Sequence, residues 1–153
     1  MTTGENDNTW GDQTNDNIKR IDDMANQIIG ITLSGVTYTL PFTNDPTSYA
    51  QEAGRCKILD FTGSPGGTAT VTFPNKKMWY YVLNNTGDSN DIICTTGSGT
   101  TYTVSAGQDA IVYVNGSNAI YNAINDLQVT TINGVIADNI ATKGLAIAMA
   151  VAL

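Results

Sequence analysis

The chain has 153 residues, enough for one domain with its own hydrophobic core and short appendages. Seven basic residues stand against 14 acidic ones, and the resulting net charge of -7 opposes contact with the phosphates of nucleic acid. There is no histidine, which excludes Ser-His-Asp triads, Cys-His dyads and histidine-based zinc sites. We therefore expect a protein that is not an enzyme and binds no cofactor, metal or nucleic acid.

The N-terminal 30 residues combine a polar arm with a short helix. Residues 1–13 are polar and aperiodic apart from one large apolar side chain, Trp10. Residues 14–29 are predicted to be helical, with Thr14 or Asn15 as the N-cap and Gly30 as the end. The apolar positions follow a 3-4-3 spacing that makes a narrow seam on one face, and they are Ile18, Ile21, Ala25 and Ile28.

The middle of the chain, residues 31–118, is typical of a small β domain. Alternating segments begin with Val36, Tyr38 and Leu40 and are followed by a short helix predicted over 47–53. Further strands are predicted at 56–61, 68–73, 78–84, 91–96, 100–104 and 110–114. About seven short strands with turn residues every 8–12 positions indicate an antiparallel β-sandwich or barrel.

Residues 119–153 are predicted to form a C-terminal helical segment that joins subunits. Its last nine residues, LAIAMAVAL, are apolar nearly all round but about half the length of a membrane span, so we expect burial between subunits and no membrane insertion. Isoleucine at both seam positions favours three or four helices over two. The predicted interface residues are Ile120, Ile124, Leu127, Ile132, Ile136, Ile140, Ile147 and Val151.

Few residues suggest binding chemistry. Cys56 and Cys94 do not form a Cys-x-x-Cys motif, and whether they pair is open from the sequence. Trp79, Tyr80 and Tyr81 are candidates for stacking on a sugar ring, although alternation sends Trp79 and Tyr81 to one face of the strand and Tyr80 to the other. Core packing is the commoner role for such a set.

Two stretches resemble bacteriophage tail-fibre-type proteins. In NTWGDQTNDNIKRIDDMANQIIG (8–30), a polar arm with a Trp-Gly pair leads into a short helix; the matching positions are Trp10, Gly11, Asn15, Asn17, Ile18 and Gly30. The stretch from Phe61 to Asn118 is similar to a β module of the same virion proteins, through FTG, TVTFP, KKMWYYVLNNTG, TTGSGTTYTVSAGQ and AIVYVNGSN. The resemblance implies a virion structural role, homotrimers and attachment to the particle by the N-terminal part.

These observations lead to three hypotheses. The first is a trimeric tail or collar fibre, or a fibre-attachment adaptor, located in the virion after assembly in the bacterial cytoplasm. Its particle-docking residues would be Trp10, Gly11, Asn15, Ile18 and Ile21, and its partners other virion proteins. The second is a capsid decoration protein, favoured by the brevity of the chain. The third is a carbohydrate-binding module that uses the aromatic residues at 79–81 on a glycan receptor.

Overall fold

The structure of the protein is a computed structural model that describes residues 9–44, 49–124, 131–132 and 135–136. The chain divides into two compact units, Met1–Ala123 and Ile124–Leu153. In the described part of the first unit, one helix, α1 (Trp10–Asn26), comes before all the strands. The strands are β1 (Ile28–Leu33), β2 (Thr37–Thr39), β3 (Ile58–Gly63), β4 (Ala69–Thr72), β5 (Lys77–Asn84), β6 (Ile92–Thr95), β7 (Tyr102–Val104), β8 (Asp109–Asn115) and β9 (Ile120–Asn122).

The chain alternates between two sheets as it passes from β1 to β6. The first sheet has the strand order β1-β3-β5-β8-β9 and the second has β2-β4-β6-β7. Successive strands form coils, and each coil contributes one strand to each sheet. The three coils are β1 with β2, β3 with β4, and β5 with β6. The coils stack in parallel and in register, so that Tyr38 lies beside Val71 and Val71 lies beside Cys94.

The last three strands of this unit are antiparallel to the strands they pair with. Strand β7 pairs antiparallel with β6, β8 pairs antiparallel with β5, and β9 pairs antiparallel with β8. The architecture is therefore mainly β with an N-terminal helix, as predicted, but both sheets are mixed. The prediction of a purely antiparallel arrangement is wrong, because the link after each strand from β1 to β5 leads to the other sheet. The next strand of the same sheet then runs in the same direction as the last.

One hydrophobic cluster receives the inward side chains of both sheets. Alternation along each strand selects these side chains, as in β5, where Tyr80 and Val82 are fully buried between exposed or half-buried neighbours. The Tyr80 ring meets Phe73 edge-on at 5.0 Å, and its hydroxyl donates to the Gly54 carbonyl over 2.8 Å. Cys56 and Cys94 are both buried and free, so they do not pair.

The N-terminal helix is confirmed, but its bounds differ from the prediction. It begins at Trp10 rather than after Thr14, whose hydroxyl instead donates to the Trp10 carbonyl inside the helix. It ends at Asn26, and Gly30 lies within β1 rather than at the helix end. The isoleucines at 28, 29 and 31 explain the earlier end, because β-branched residues favour a strand over a helix. The predicted boundary between residues 30 and 31 thus falls inside β1.

Two further helix predictions are wrong where the structure describes them. Residues 49–53 are not helical, whereas 47 and 48 lie outside the described residues. Toward the C-terminus, residues 120–122 form β9, and in the second unit β10 (Thr131–Ile132) and β11 (Val135–Ile136) pair antiparallel. The threonine and β-branched residues of these short segments suit extended backbone. Leu127, Ile140, Ile147 and Val151 lie outside the described residues.

Candidate functional site

Helix α1 contacts the rest of its unit through its polar face. Asp16 accepts a hydrogen bond from the backbone N–H of Tyr49 over 2.8 Å, and the buried Asp23 accepts one from the Tyr49 hydroxyl over 3.3 Å. Lys19 lies between them, with its Nζ 3.8 Å from the Asp16 carboxylate and 5.2 Å from the Tyr49 ring centroid. Burial and then the Asp23 carboxylate raise the pKa of Tyr49.

The apolar face of α1 points away from these contacts. Trp10 is 70% exposed, Ile18 59% and Ile21 66%, and Met24 is exposed as well. An amphipathic helix on a globular unit normally buries its apolar stripe and turns its charges to water. Here the order is reversed, and we call Trp10, Ile18, Ile21 and Met24 the exposed face of α1.

All five predicted particle-docking residues belong to α1. Trp10, Ile18 and Ile21 lie on its exposed face, and Gly11 and Asn15 are exposed beside it in the first two turns. Trp10 was expected on an extended arm, but it is the first residue of the helix. The helix therefore holds the tryptophan in a fixed relation to the two isoleucines.

A second exposed apolar surface lies on the outer face of the first sheet. Trp79, Tyr113 and Tyr121 occupy neighbouring positions on β5, β8 and β9, and we call them the aromatic row. All three are exposed, and the tyrosine rings stack with centroids 6.4 Å apart. Lys57 places its Nζ 5.4 Å from the Trp79 ring centroid, and burial lowers the pKa of this lysine.

An apolar strip runs beside the aromatic row on the same face. Its members are in register across four strands and are Ile28, Ile58, Tyr81 and Ile111. The Tyr81 hydroxyl donates to the Asp109 carboxylate, which raises the pKa of Tyr81. Ile28 is exposed and the other three members are half-buried. Contiguous apolar surface marks a contact site more often than chance exposure does.

The predicted aromatic residues divide as strand alternation requires. Trp79 and Tyr81 face outward, whereas Tyr80 is fully buried and cannot contact a glycan. Tyr113 and Tyr121 were not predicted. The alternation in AIVYV could have found Tyr113, but Tyr121 was assigned to a helix, and its place beside Tyr113 depends on the pairing of β8 with β9.

Four of the eight residues of the predicted oligomer interface, Ile120, Ile124, Ile132 and Ile136, lie in the part of the chain that the structure describes. Ile120 is fully buried in the core of its own unit, so its assignment to an interface between subunits is wrong. Ile124 is exposed, and Ile132 and Ile136 belong to β10 and β11 rather than to a helix. The regular helical spacing was misleading at Ile120 because that residue also fits the inward position of a strand.

The described residues contain no cluster of three or more potential metal ligands. Nor does any helix among them have the length and apolar character needed to cross a membrane. No protein-family model, curated protein or solved structure matches the chain.

Proposed function

We propose that this chain is a structural protein of a bacteriophage particle, which acts by assembly into a homotrimer as a tail or collar fibre or as its attachment adaptor. The resemblance of residues 8–30 and 61–118 to tail-fibre-type proteins supports the proposal. Such a protein would be assembled in the host cytoplasm, contact other virion proteins and remain in the virion.

The observation that carries the proposal is the orientation of α1. Hydrogen bonds to Tyr49 hold the polar face of the helix, while Trp10, Ile18 and Ile21 remain exposed. Covering such side chains contributes roughly 1.5–3 kcal/mol for each one fully buried. A helix arranged in this way is suited to association with another protein surface, which is what a virion component requires.

Quantitative mass spectrometry of purified virions tests the proposal, with the major capsid protein as the reference for copy number. A few to a few dozen copies per particle would support a tail or collar fibre. Hundreds of copies would overturn the fibre in favour of capsid decoration, the alternative within the same class. Absence from the virion would overturn both.

A second candidate function, binding of a carbohydrate receptor, is favoured by the aromatic row. Exposed aromatic rings in line offer apolar faces and polar edges to a sugar chain. Glycan-array binding by the full chain would be expected to fall at least tenfold in Trp79→Ala and Tyr121→Ala. Val36→Ala removes another exposed apolar side chain and serves as the matched control. Lack of binding to every glycan would exclude this candidate.

A further inference from the structure

We infer that the exposed face of α1 joins three copies of this chain in a parallel three-helix bundle. The inference deepens the proposed function, on which it rests for the expectation that the chain is an assembly component. It differs from the sequence prediction, which assigned Ile18 and Ile21 to contact with the particle and self-association to residues 119–153.

The first argument is the heptad register of α1. With Ile18 at position a, Ile21 falls at d and Ala25 at the next a, while the first turns supply Gly11 at a and Thr14 at d, so the apolar seam lies in the C-terminal half of the helix. In the same register Asp16 and Asp23 are both f positions, which point away from the axis of a coiled coil. These two residues are the ones that bind Tyr49. Three helices can therefore meet along their seams while each stays attached to its own unit.

The second argument concerns the positions that flank the seam. The g positions are Trp10, Asn17 and Met24, and the e positions within the helix are Asn15 and Asp22. In a parallel bundle, the g residue of one helix lies near the e residue of the following heptad in its neighbour. Asp22 then meets Asn17 of another copy rather than a like charge. Three identical helices around a three-fold axis all run in the same direction, so the bundle is parallel.

The third argument concerns the number of copies and the length of the helix. Isoleucine at the central a and d positions, Ile18 and Ile21, favours three or more strands over two. An isolated 17-residue helix that is rich in Asn and Asp has little stability of its own in water, because these residues have low helix propensity. The contacts with Tyr49 hold α1 in helical form before association, which lowers the ordering entropy lost when the bundle forms. Two heptads still give a short interface, so we expect assembly to depend on protein concentration.

Sedimentation equilibrium of the full chain over a range of concentrations tests the inference. We expect a trimer for the unaltered protein. Ile21→Asp should raise the midpoint concentration for assembly by roughly 100-fold or more, since each trimer would bury three unpaired carboxylates. Gln13→Asp introduces the same charge at an exposed c position of the same helix and should leave the trimer unchanged.

Cross-linking provides a second readout that does not depend on destabilising the bundle. Ile21→Cys should be linked efficiently by a trifunctional maleimide into covalent trimers, whereas Gln13→Cys should not. A monomer or dimer at all concentrations would overturn the inference, as would a trimer that Ile21→Asp does not weaken. A monomer in solution that is nevertheless found in virions would overturn the trimer and leave the virion role of the proposed function standing. A trimer that is absent from virions would overturn only the proposed function.

Discussion

The Tyr49 hydroxyl donates to the buried carboxylate of Asp23 over 3.3 Å, and this contact links helix α1 to the loop before β3. The other carboxylate oxygen of Asp23 has no hydrogen-bond partner among the described residues. The Tyr49 hydroxyl is therefore an important donor to a charge that is shielded from water. This contact and the one to Asp16 hold the polar face of α1 against its unit, with Trp10, Ile18 and Ile21 exposed on the other side.

Removal of that hydroxyl should loosen α1. Tyr49→Phe takes a donor from a buried carboxylate, and we expect the free energy of the local opening that releases α1 to fall by about 1–3 kcal/mol. Hydrogen exchange should show faster exchange of the α1 amides, with little change in the β strands. Tyr113→Phe is the matched control because its ring lies on the exposed outer face of the first sheet. Unchanged α1 exchange in Tyr49→Phe would contradict the role of this contact.

Gly63 is expected to be required for the close stacking of the first two coils. Its φ is +88°, and a Cβ there would lie 2.4 Å from the Leu33 carbonyl oxygen. Gly66 has a similar φ of +80°, but a Cβ there would meet nothing within 4 Å among the described residues. Gly66→Ala should lower the free energy of unfolding by about 1–2 kcal/mol, because of the strained backbone alone. Gly63→Ala should lower the free energy of unfolding clearly more, as measured by chemical denaturation. Equal losses in the two variants would contradict the close approach of Gly63 to the Leu33 carbonyl.

Asn84 is expected to stabilise the fold through its buried amide. Its Nδ2 donates to the carbonyls of Asn90 and Val104 over 2.9 and 3.1 Å, and its Oδ1 accepts from the Thr86 hydroxyl over 2.8 Å. Asn84→Ala should lower the free energy of unfolding by about 1–3 kcal/mol for each buried polar group that is left without a partner.

The neighbouring Asn85 supplies the control for this substitution. It is exposed and donates to Asp60 over 2.8 Å. Asn85→Ala should therefore change the free energy of unfolding by about 0.5 kcal/mol or less. Similar urea midpoints for the two variants would refute the special role of Asn84.

Tyr80 should make the protein sensitive to alkaline pH. Burial raises the pKa of its hydroxyl well above the ordinary value of 10.0. The protonated form is thus favoured by folding, so its contribution to stability is complete below pH 10 and is lost as the pH rises through the folded pKa. We expect the free energy of unfolding, measured by chemical denaturation at a series of pH values, to fall above pH 10.

Tyr80→Phe separates this titration from general alkaline effects. At neutral pH this variant should unfold with about 1 kcal/mol less free energy, because the hydrogen bond to the Gly54 carbonyl is lost, and the loss is larger where that carbonyl finds no other donor. Above pH 10 its stability should fall less steeply than that of the unaltered protein. An identical slope in the two proteins would show that Tyr80 does not titrate with unfolding.

The strand positions were predictable because alternation is a local property. The segments predicted around 56–61, 68–73, 78–84 and 110–114 match β3, β4, β5 and β8 closely, and the outward Trp79 and inward Tyr80 follow from the two-residue period. The failure at Ile120 has the same local origin. A spacing that suits one face of a helix also suits an inward strand position when only one or two residues are compared.

The sequence by itself determined that this is a mainly β protein with a seam-bearing N-terminal helix, since periodicity and propensity act between near neighbours. Only the tertiary structure decided that the coils stack in parallel, because an alternating strand has the same pattern whichever way its neighbour runs. It also decided which face of α1 is turned outward, because hydrogen bonds from the distant Tyr49 hold Asp16 and Asp23. The aromatic row arises in the same way, as three residues from β5, β8 and β9 become neighbours only when those strands pair.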